Sequence, residues 1–155
     1  MDIKYRIANE NDIEDLVDFR LKLNNYEYGE EKIENEDQLR KNIREVLKKE
    51  LNRTIYFFIA LDGDKVIAGS AIIIQRVIPF YTIPNGKIGF ITSVFTDEEY
   101  RRRGIQKELI KMTLDLGEKQ ECKRIELNAT NPHAVKLYES FGFKRMDIKF
   151  RLEIK

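Results

Sequence analysis

Three consecutive arginines stand between a run of strand-forming residues and a run with helical periodicity. They precede Gly104, and apolar residues then recur at helical spacing from Ile105 to Leu116. Free N–H groups and the positive end of the dipole make a helix amino terminus an anion site. Arginine adds charged donors, and glycine lets a phosphate approach the backbone closely. The segment predicts a phosphate site, and a solvated basic turn is the alternative interpretation of the same spacing.

Other residues that could do chemistry form no comparable pattern. His133 is the only histidine, and it follows Pro132 at a predicted helix start, where an exposed structural role is expected. Cys122 is the only cysteine, which excludes an intrachain disulfide. It lies between a predicted helix and a predicted strand without a paired His motif, so a covalent thiol mechanism is not expected. No spacing of His, Cys, Asp and Glu is typical of a metal site, so no metal is expected.

Composition places the chain among globular proteins. Of its 155 residues, 42% are hydrophobic and 35% are charged, a balance that supports a folded core. The 28 lysines and arginines nearly match the 27 acidic residues, which leaves a formal net charge of +1. This charge gives no argument for nucleic acid or an anionic membrane as a partner.

The sequence also indicates a cytoplasmic protein. Its start, Met1 to Arg6, contains no apolar segment of signal-peptide length. The most apolar stretch, Val66 to Ile78, includes glycine and polar residues and is too short to span a bilayer. A lone cysteine fits a reducing compartment.

The elements that position the arginine turn follow from periodicity. Alternation predicts a first strand at Ile3–Ile7, and two amphipathic helices follow, separated by an acidic stretch. Asp62-Gly63-Asp64 joins two β-rich runs as a hairpin turn does, and Lys87 to Phe95 has the composition of a strand. After the helix behind Gly104, the segment Ile125 to Ala129 alternates as a strand, and Asn131-Pro132 begins a further helix.

The last residues predict a strand with one solvated face. Ile148, Phe150, Leu152 and Ile154 alternate with charged residues. The element order is therefore βααβββαβα followed by one or two strands. This order predicts a single α/β domain over residues 1–155, with a central mixed (α+β) sheet of roughly six to seven strands and helices on both faces.

Two motifs resemble those of the GNAT superfamily of N-acetyltransferases. Arg101-x-x-Gly104-x-Gln106 resembles the signature Gln/Arg-x-x-Gly-x-Gly/Ala, between a strand and a helix as in that family. The segment Asn131 to Phe143 resembles the second motif, Asn-x-x-Ala-x-x-Leu-Tyr-Glu-x-x-Gly-Phe. The element order also agrees, so the resemblance covers essentially the whole domain. One departure is Gln106, which stands where the family usually has Gly or Ala.

The resemblance implies acetyl-coenzyme A as the co-substrate. In this family the strand before the signature splays away from the next parallel strand, and the pantetheine arm lies in the gap. The pyrophosphate rests on N–H groups of the turn after that strand. The residues that this implies for coenzyme A are Val94, Phe95, Thr96, Arg101, Arg102, Arg103, Gly104, Ile105, Gln106 and Asn131.

The resemblance also implies that Tyr138 is the general acid. An amine that attacks a thioester expels a thiolate, and a positioned phenol can protonate that sulfur. Without the resemblance, the apolar face of its helix favours a core role for Tyr138. A backbone N–H near Val94 to Thr96 would stabilise the oxyanion. The general base stays open, because the strand Lys87 to Thr96 carries no glutamate.

An acidic stretch falls where relatives build the acceptor site. Tyr26, Glu27 and Glu30 are the candidate contacts. Their charge would attract a cationic amine, such as a polyamine, a basic side chain or an amino sugar. A solvated loop and helix start is the alternative.

The predicted function is an acyl-coenzyme A-dependent N-acetyltransferase. It would move acetyl to a primary amine of a small molecule or peptide, by direct transfer in a ternary complex. A non-catalytic sensor that binds acyl-coenzyme A is the alternative. No nucleic acid or membrane partner is expected, and a homodimer, common in the family, is a further expectation.

Overall fold

The computed structural model describes residues 2–29, 33–129, 131–146 and 148–154. Its strands are β1 (Ile3–Ile7), β2 (Ile55–Asp62), β3 (Lys65–Arg76), β4 (Lys87–Thr96) and β5 (Arg124–Leu127). Its helices are α1 (Ile13–Tyr28), α2 (Glu36–Glu50), α3 (Ile105–Lys119) and α4 (Pro132–Ser140). The elements up to α4 follow the predicted order. No helix in the described ranges is long and apolar enough to cross a membrane.

Local sequence explains where the helices begin. Asn35 caps α2, because its Oδ1 accepts a hydrogen bond from the Gln38 N–H at 3.0 Å. Asn131 caps α4 in the same way and is followed by Pro132 at the first helical position. Helix α3 differs, because Gly104 precedes it in a left-handed conformation and supplies no side-chain cap. The first N–H groups of α3 therefore have no capping side chain.

The five strands form one mixed sheet in the order β1-β2-β3-β4-β5. The pairs from β1 to β4 are antiparallel, and β4 pairs with β5 in parallel. A parallel pair needs a crossover connection, and α3 supplies it. The carboxyl end of β4 and the amino end of α3 therefore meet at one edge of the sheet.

Helices cover both faces of the sheet, as predicted. Successive side chains of a strand point to opposite faces. Phe57, Ile59 and Leu61 of β2 pack in one cluster with α1 and α2. Phe58 and Ala60 pack in another with α3. The mixed α/β fold class is confirmed.

The structure differs from the sequence prediction after α4. Residues 148–154 form no strand, so the described chain has five strands rather than six to seven. Ile148, Phe150, Leu152 and Ile154 are 77–91% exposed. Alternation describes a strand only when a neighbouring strand pairs with its backbone, and no described strand pairs with this segment.

Candidate functional site

A bulge interrupts β4 opposite β3. Gly69 pairs with Phe95 and Ala71 pairs with Thr92, so two residues of β4 stand opposite Ser70. One of these two, Ser93, has a left-handed φ of 55°. Such a bulge bends the strand and turns its backbone groups away from the regular ladder.

Pairing with β5 covers only the first part of the same strand. The parallel pairing of β4 with β5 ends at Ile91 and Leu127, whereas β4 itself continues to Thr96. Beyond Ile91, β4 therefore has a ladder partner on its β3 side only, among the described strands. Free backbone N–H and C=O groups along such an edge can pair with an extended ligand.

A turn with two left-handed residues connects β4 to α3. Arg102 has a φ of 62° and Gly104 a φ of 76°. A Cβ built on Gly104 would meet no heavy atom within 4 Å, so the space beside this residue is open. The first-turn N–H groups of Ile105 and Gln106 point out of the same helix end.

The three arginines of the turn have different surroundings. Arg101 turns towards α1, where its guanidinium lies 4.8 Å from the ring centre of Tyr26, and its Nε donates to the Thr96 carbonyl at 2.9 Å. Its backbone N–H donates to the Glu98 carbonyl. Arg102 is exposed, and the Arg103 guanidinium lies 5.6 Å from the ring centre of Tyr100. The exposed cations at the helix end are therefore those of Arg102 and Arg103.

A cleft of about 630 Å³ opens between α1 and the end of β4. Its lining residues are Lys22, Tyr26, Lys65, Phe95, Asp97, Glu98, Glu99 and Arg101. Asp97 is buried and pairs with the ammonium groups of Lys22 at 3.0 Å and Lys65 at 3.6 Å. Sequence reasoning did not find Lys22 or Lys65, because only the tertiary fold brings α1 and the start of β3 beside β4.

Tyr138 lies in α4 and is buried. It belongs to one packed cluster with Ile91 and Val94 of β4, and its ring meets that of Phe143 edge-on at 5.9 Å. Burial raises the pKa of the Tyr138 phenol to about 12. The phenol is therefore protonated at neutral pH, and it lies in the same cluster as the bulged part of β4.

The remaining predicted residues lie at the surface. Asn131 is exposed, and its Oδ1 is committed to the His133 N–H at 3.0 Å. Tyr26 is 57% exposed and Glu27 is exposed, while Glu30 lies outside the described residues. Among the described residues, no group of three or more His, Cys, Asp and Glu is placed to hold a metal.

The sequence matches a known family over most of its length. The model of the family described as "Acetyltransferase (GNAT) family" matches residues 16–143. The chain belongs to the GNAT acetyltransferase family.

Solved GNAT-type structures share the whole fold. A predicted acetyltransferase from Clostridium acetobutylicum, solved with acetyl-CoA, superposes with a TM-score of 0.84 at 26% identity, covering 98% of this chain and 96% of that one. A GCN5-related N-acetyltransferase from Ralstonia eutropha JMP134 gives a TM-score of 0.80, covering 98% and 99% of the two chains. Its identity is 18%, so it supports the fold alone.

Curated relatives match over a shorter stretch. The spermine/spermidine N(1)-acetyltransferase of Bacillus subtilis (strain 168) is 38% identical over 63 residues, which is 39% of this chain and 41% of the relative. N-alpha-acetyltransferase 30 of Saccharomyces cerevisiae is 35% identical over 65 residues, which is 41% and 37% of the two proteins. The matching stretch therefore spans about two fifths of the length of these relatives.

The site of this GNAT protein fits coenzyme A. The open space beside Gly104 leaves room for a phosphate at the helix end. Arg102 and Arg103 supply positive charge there, and next to it β4 has no described strand partner on its β5 side beyond Ile91. The Gln106 side chain leaves this space free, because its Nε2 points inward to the Phe95 carbonyl at 2.9 Å.

Proposed function

We propose that this protein transfers an acetyl group from acetyl-coenzyme A to a primary amine of a small molecule or a peptide. Direct transfer within a ternary complex needs no covalent enzyme intermediate. The observation that carries the proposal is the bulged end of β4, which has no described strand partner on its β5 side beyond Ile91, with an open glycine turn at one end and Tyr138 packed beside it.

Two groups of residues would hold coenzyme A, one at its amide-containing arm and one at its phosphates. The backbone of Val94, Phe95 and Thr96 pairs with the amide-containing arm. The N–H groups of Gly104 to Gln106 and the cations of Arg102 and Arg103 bind the phosphates. Bound acetyl-coenzyme A supplies the activated acyl thioester.

Tyr138 is the proposed proton donor. A group that protonates a departing thiolate has to hold its proton at neutral pH and lie near the reacting atoms. Burial raises the pKa of Tyr138 to about 12, so its hydroxyl is protonated. Its packing with Val94 in one cluster places it beside the strand that the acyl end of coenzyme A would follow.

The acceptor is proposed to enter at the carboxyl end of α1. Tyr26 and Glu27 are exposed there, and Glu30 follows in sequence. Negative charge at an entrance raises the local concentration of a cationic amine. The curated relatives are named for two kinds of amine, a polyamine and a protein amino terminus, so both classes belong in a substrate screen.

Calorimetry of acetyl-coenzyme A binding tests the cofactor site directly. We expect micromolar binding by wild type and its loss in Gly104→Glu, since the carboxylate would fill the phosphate space. Gly63→Glu is the matched control, because Gly63 also has a positive φ, of 62°, and an equally open surrounding, in the hairpin between β2 and β3. Equal affinities in the two variants would contradict the assignment of the site, and no binding by folded wild type would contradict the function.

Thiol release then tests catalysis. Free thiol should appear only when both acetyl-coenzyme A and an amine are present, and a panel of spermidine, an amino sugar and a peptide with a free amino terminus would identify the acceptor class. If acetyl-coenzyme A binds but no amine of the panel leads to thiol release, the result would instead support a sensor.

Location and assembly are part of the same proposal. A single cysteine, which is free in the described structure, supports a reducing, cytoplasmic location. The exposed apolar side chains of residues 148–154 support a homodimer in which this segment contacts a second copy.

A further inference from the structure

The Gln106 side chain makes contacts that the usual Gly or Ala of the family signature could not make. Its Nε2 lies 2.9 Å from the Phe95 carbonyl oxygen, 3.0 Å from Thr96 Oγ1 and 3.1 Å from the Gly69 carbonyl oxygen. Carbonyl oxygens only accept hydrogen bonds, so the amide nitrogen has to face them. The orientation of the side-chain amide is therefore fixed by its partners.

These contacts lie at the bulge of β4. Gly69 of β3 and Phe95 of β4 are paired residues at the register shift. The ladder is locally disrupted at a bulge, so the two strands are held less firmly there by their own backbone groups. One Gln106 nitrogen donates to a carbonyl on each strand and so links both strands to α3.

A second buried contact ties α3 to the same part of β3. Thr113 follows Gln106 by seven residues, which places both on one face of the helix. Thr113 Oγ1 donates to the Leu109 carbonyl at 2.7 Å and lies 3.0 Å from Ser70 Oγ, which donates to it. Ser70 is the residue opposite the bulge. Two consecutive β3 residues, Gly69 and Ser70, are therefore each hydrogen-bonded to a side chain of α3.

The oxygen of the Gln106 amide adds a free-energy cost to the inward orientation of this side chain. Its Oε1 is buried and accepts no hydrogen bond within the described part of the chain. A buried acceptor without a donor destabilises a protein. The contacts of the nitrogen have to offset that loss.

We propose that Gln106 is a positioning residue for coenzyme A binding. Its carboxamide holds the bulged end of β4 in place, so that the open edge of Val94 to Thr96 is already formed before the cofactor arrives. Pre-formed edges bind an extended ligand more tightly, because less ordering accompanies binding. The inference rests on the proposed function for the cofactor, but the effect on β4 exists without it.

Hydrogen exchange in the cofactor-free protein tests the structural step. In Gln106→Met, which keeps the length of the side chain and removes the donors, we expect faster amide exchange at Phe95, which pairs with Gly69, and at Asp97, whose N–H donates to the Ile67 carbonyl. The acceleration should be about tenfold, the loss expected for one net hydrogen bond. Gln120→Met, at the other end of α3, is the matched control and should leave these amides unchanged. Gln106→Ala, a residue type that the family signature accepts, serves if the methionine variant does not fold.

Kinetics tests the functional step. The KM for acetyl-coenzyme A and the calorimetric Kd should rise about tenfold in Gln106→Met, while the KM for the amine stays within about twofold of wild type. A merely structural role would lower the melting temperature without this selective change.

The outcomes separate the two proposals. Unchanged exchange at Phe95 and Asp97 in both Gln106 variants overturns the inference, as does a coenzyme A affinity equal to that of Gln120→Met. If wild type binds no coenzyme A and the Gln106 variants still exchange faster than wild type, both the proposed function and the role of Gln106 in binding are overturned. Faster exchange together with the selective rise in KM supports both.

Discussion

Tyr138 brings a proton donor into a mainly apolar cluster. Its neighbours there include Ile72, Ile91 and Ile110. We predict that Tyr138→Phe lowers kcat by about a hundredfold, because general acid catalysis contributes about that much, and leaves the KM for acetyl-coenzyme A nearly unchanged. Phenylalanine keeps the edge contact with Phe143, so the fold should survive. Thiol release with saturating amine measures the effect.

The control for Tyr138→Phe is Tyr81→Phe, which removes the hydroxyl of a residue that is 97% exposed and should leave kcat unchanged. The pH profile adds a second readout of the same prediction. Burial favours the neutral phenol and raises its pKa from 10.0 to about 12, so wild-type activity should show no loss near pH 10 from ionisation of this group. A kcat of Tyr138→Phe within about twofold of wild type would exclude the phenol as the proton donor.

Side-chain directions around the turn were beyond what the sequence could supply. Spacing and charge indicated an anion site at Arg101 to Gly104, but they treated the arginines as equivalent. In the structure the stack of Arg101 on Tyr26 depends on where α1 lies, which no local pattern encodes. The inward direction of the Gln106 side chain likewise depends on carbonyl groups of two strands.

The elements themselves were largely predictable, because each has a local cause. The order through α4 follows from periodicity, the hairpin turn at Gly63 and the cap at Asn131. The bulge at Ser93 has no local signal in the sequence, since register depends on how β3 and β4 pair. The prediction of a strand from Ile148 to Ile154 was wrong for a related reason, because an alternating pattern does not by itself supply a neighbouring strand to pair with.

Gly69 connects the packing of α1 to the bulge of β4. A Cβ built on it would lie 2.9 Å from Phe57 Cε1 and 3.0 Å from Phe19 Cζ. These two rings pack edge-on, so the added atom would press against both of them. We predict that Gly69→Ala lowers the free energy of unfolding by about 1–3 kcal/mol, the range for overpacking a core. Urea unfolding of the variant measures this loss.

A double variant separates the clash from other causes. Phe19→Leu shortens one of the two rings, so the cost of Gly69→Ala should be smaller in that background. Additive costs in the four proteins of this cycle would show that the crowding against Phe19 is not the cause.

At the scale of the whole molecule, β4 connects three regions of the site. Its bulge faces β3, and on its β5 side it has no described strand partner beyond Ile91. Phe95 of β4 and Asp97, which directly follows the strand, contact α1. The net charge of +1 says little about function, because the local placement of the charges determines the chemistry of the site. What matters is that Lys22 and Lys65 neutralise Asp97, while Arg102 stays exposed at the helix end.

The assembly of the protein gives the last prediction. Isolated surface apolar residues are ordinary, but Ile148, Phe150, Leu152 and Ile154 are all exposed on alternate positions of one segment. We predict a homodimer in sedimentation velocity at micromolar concentration and a monomer for Phe150→Glu, because a charge at the centre of an apolar contact has to be desolvated.

Tyr81→Glu is the control for this change, since Tyr81 is 97% exposed in the loop between β3 and β4 and lies outside the segment. It should remain dimeric. A dimer that survives Phe150→Glu and dissociates in Tyr81→Glu would move the contact to that loop. A wild-type monomer at every accessible concentration would mean that the apolar side chains of residues 148–154 do not hold two copies together.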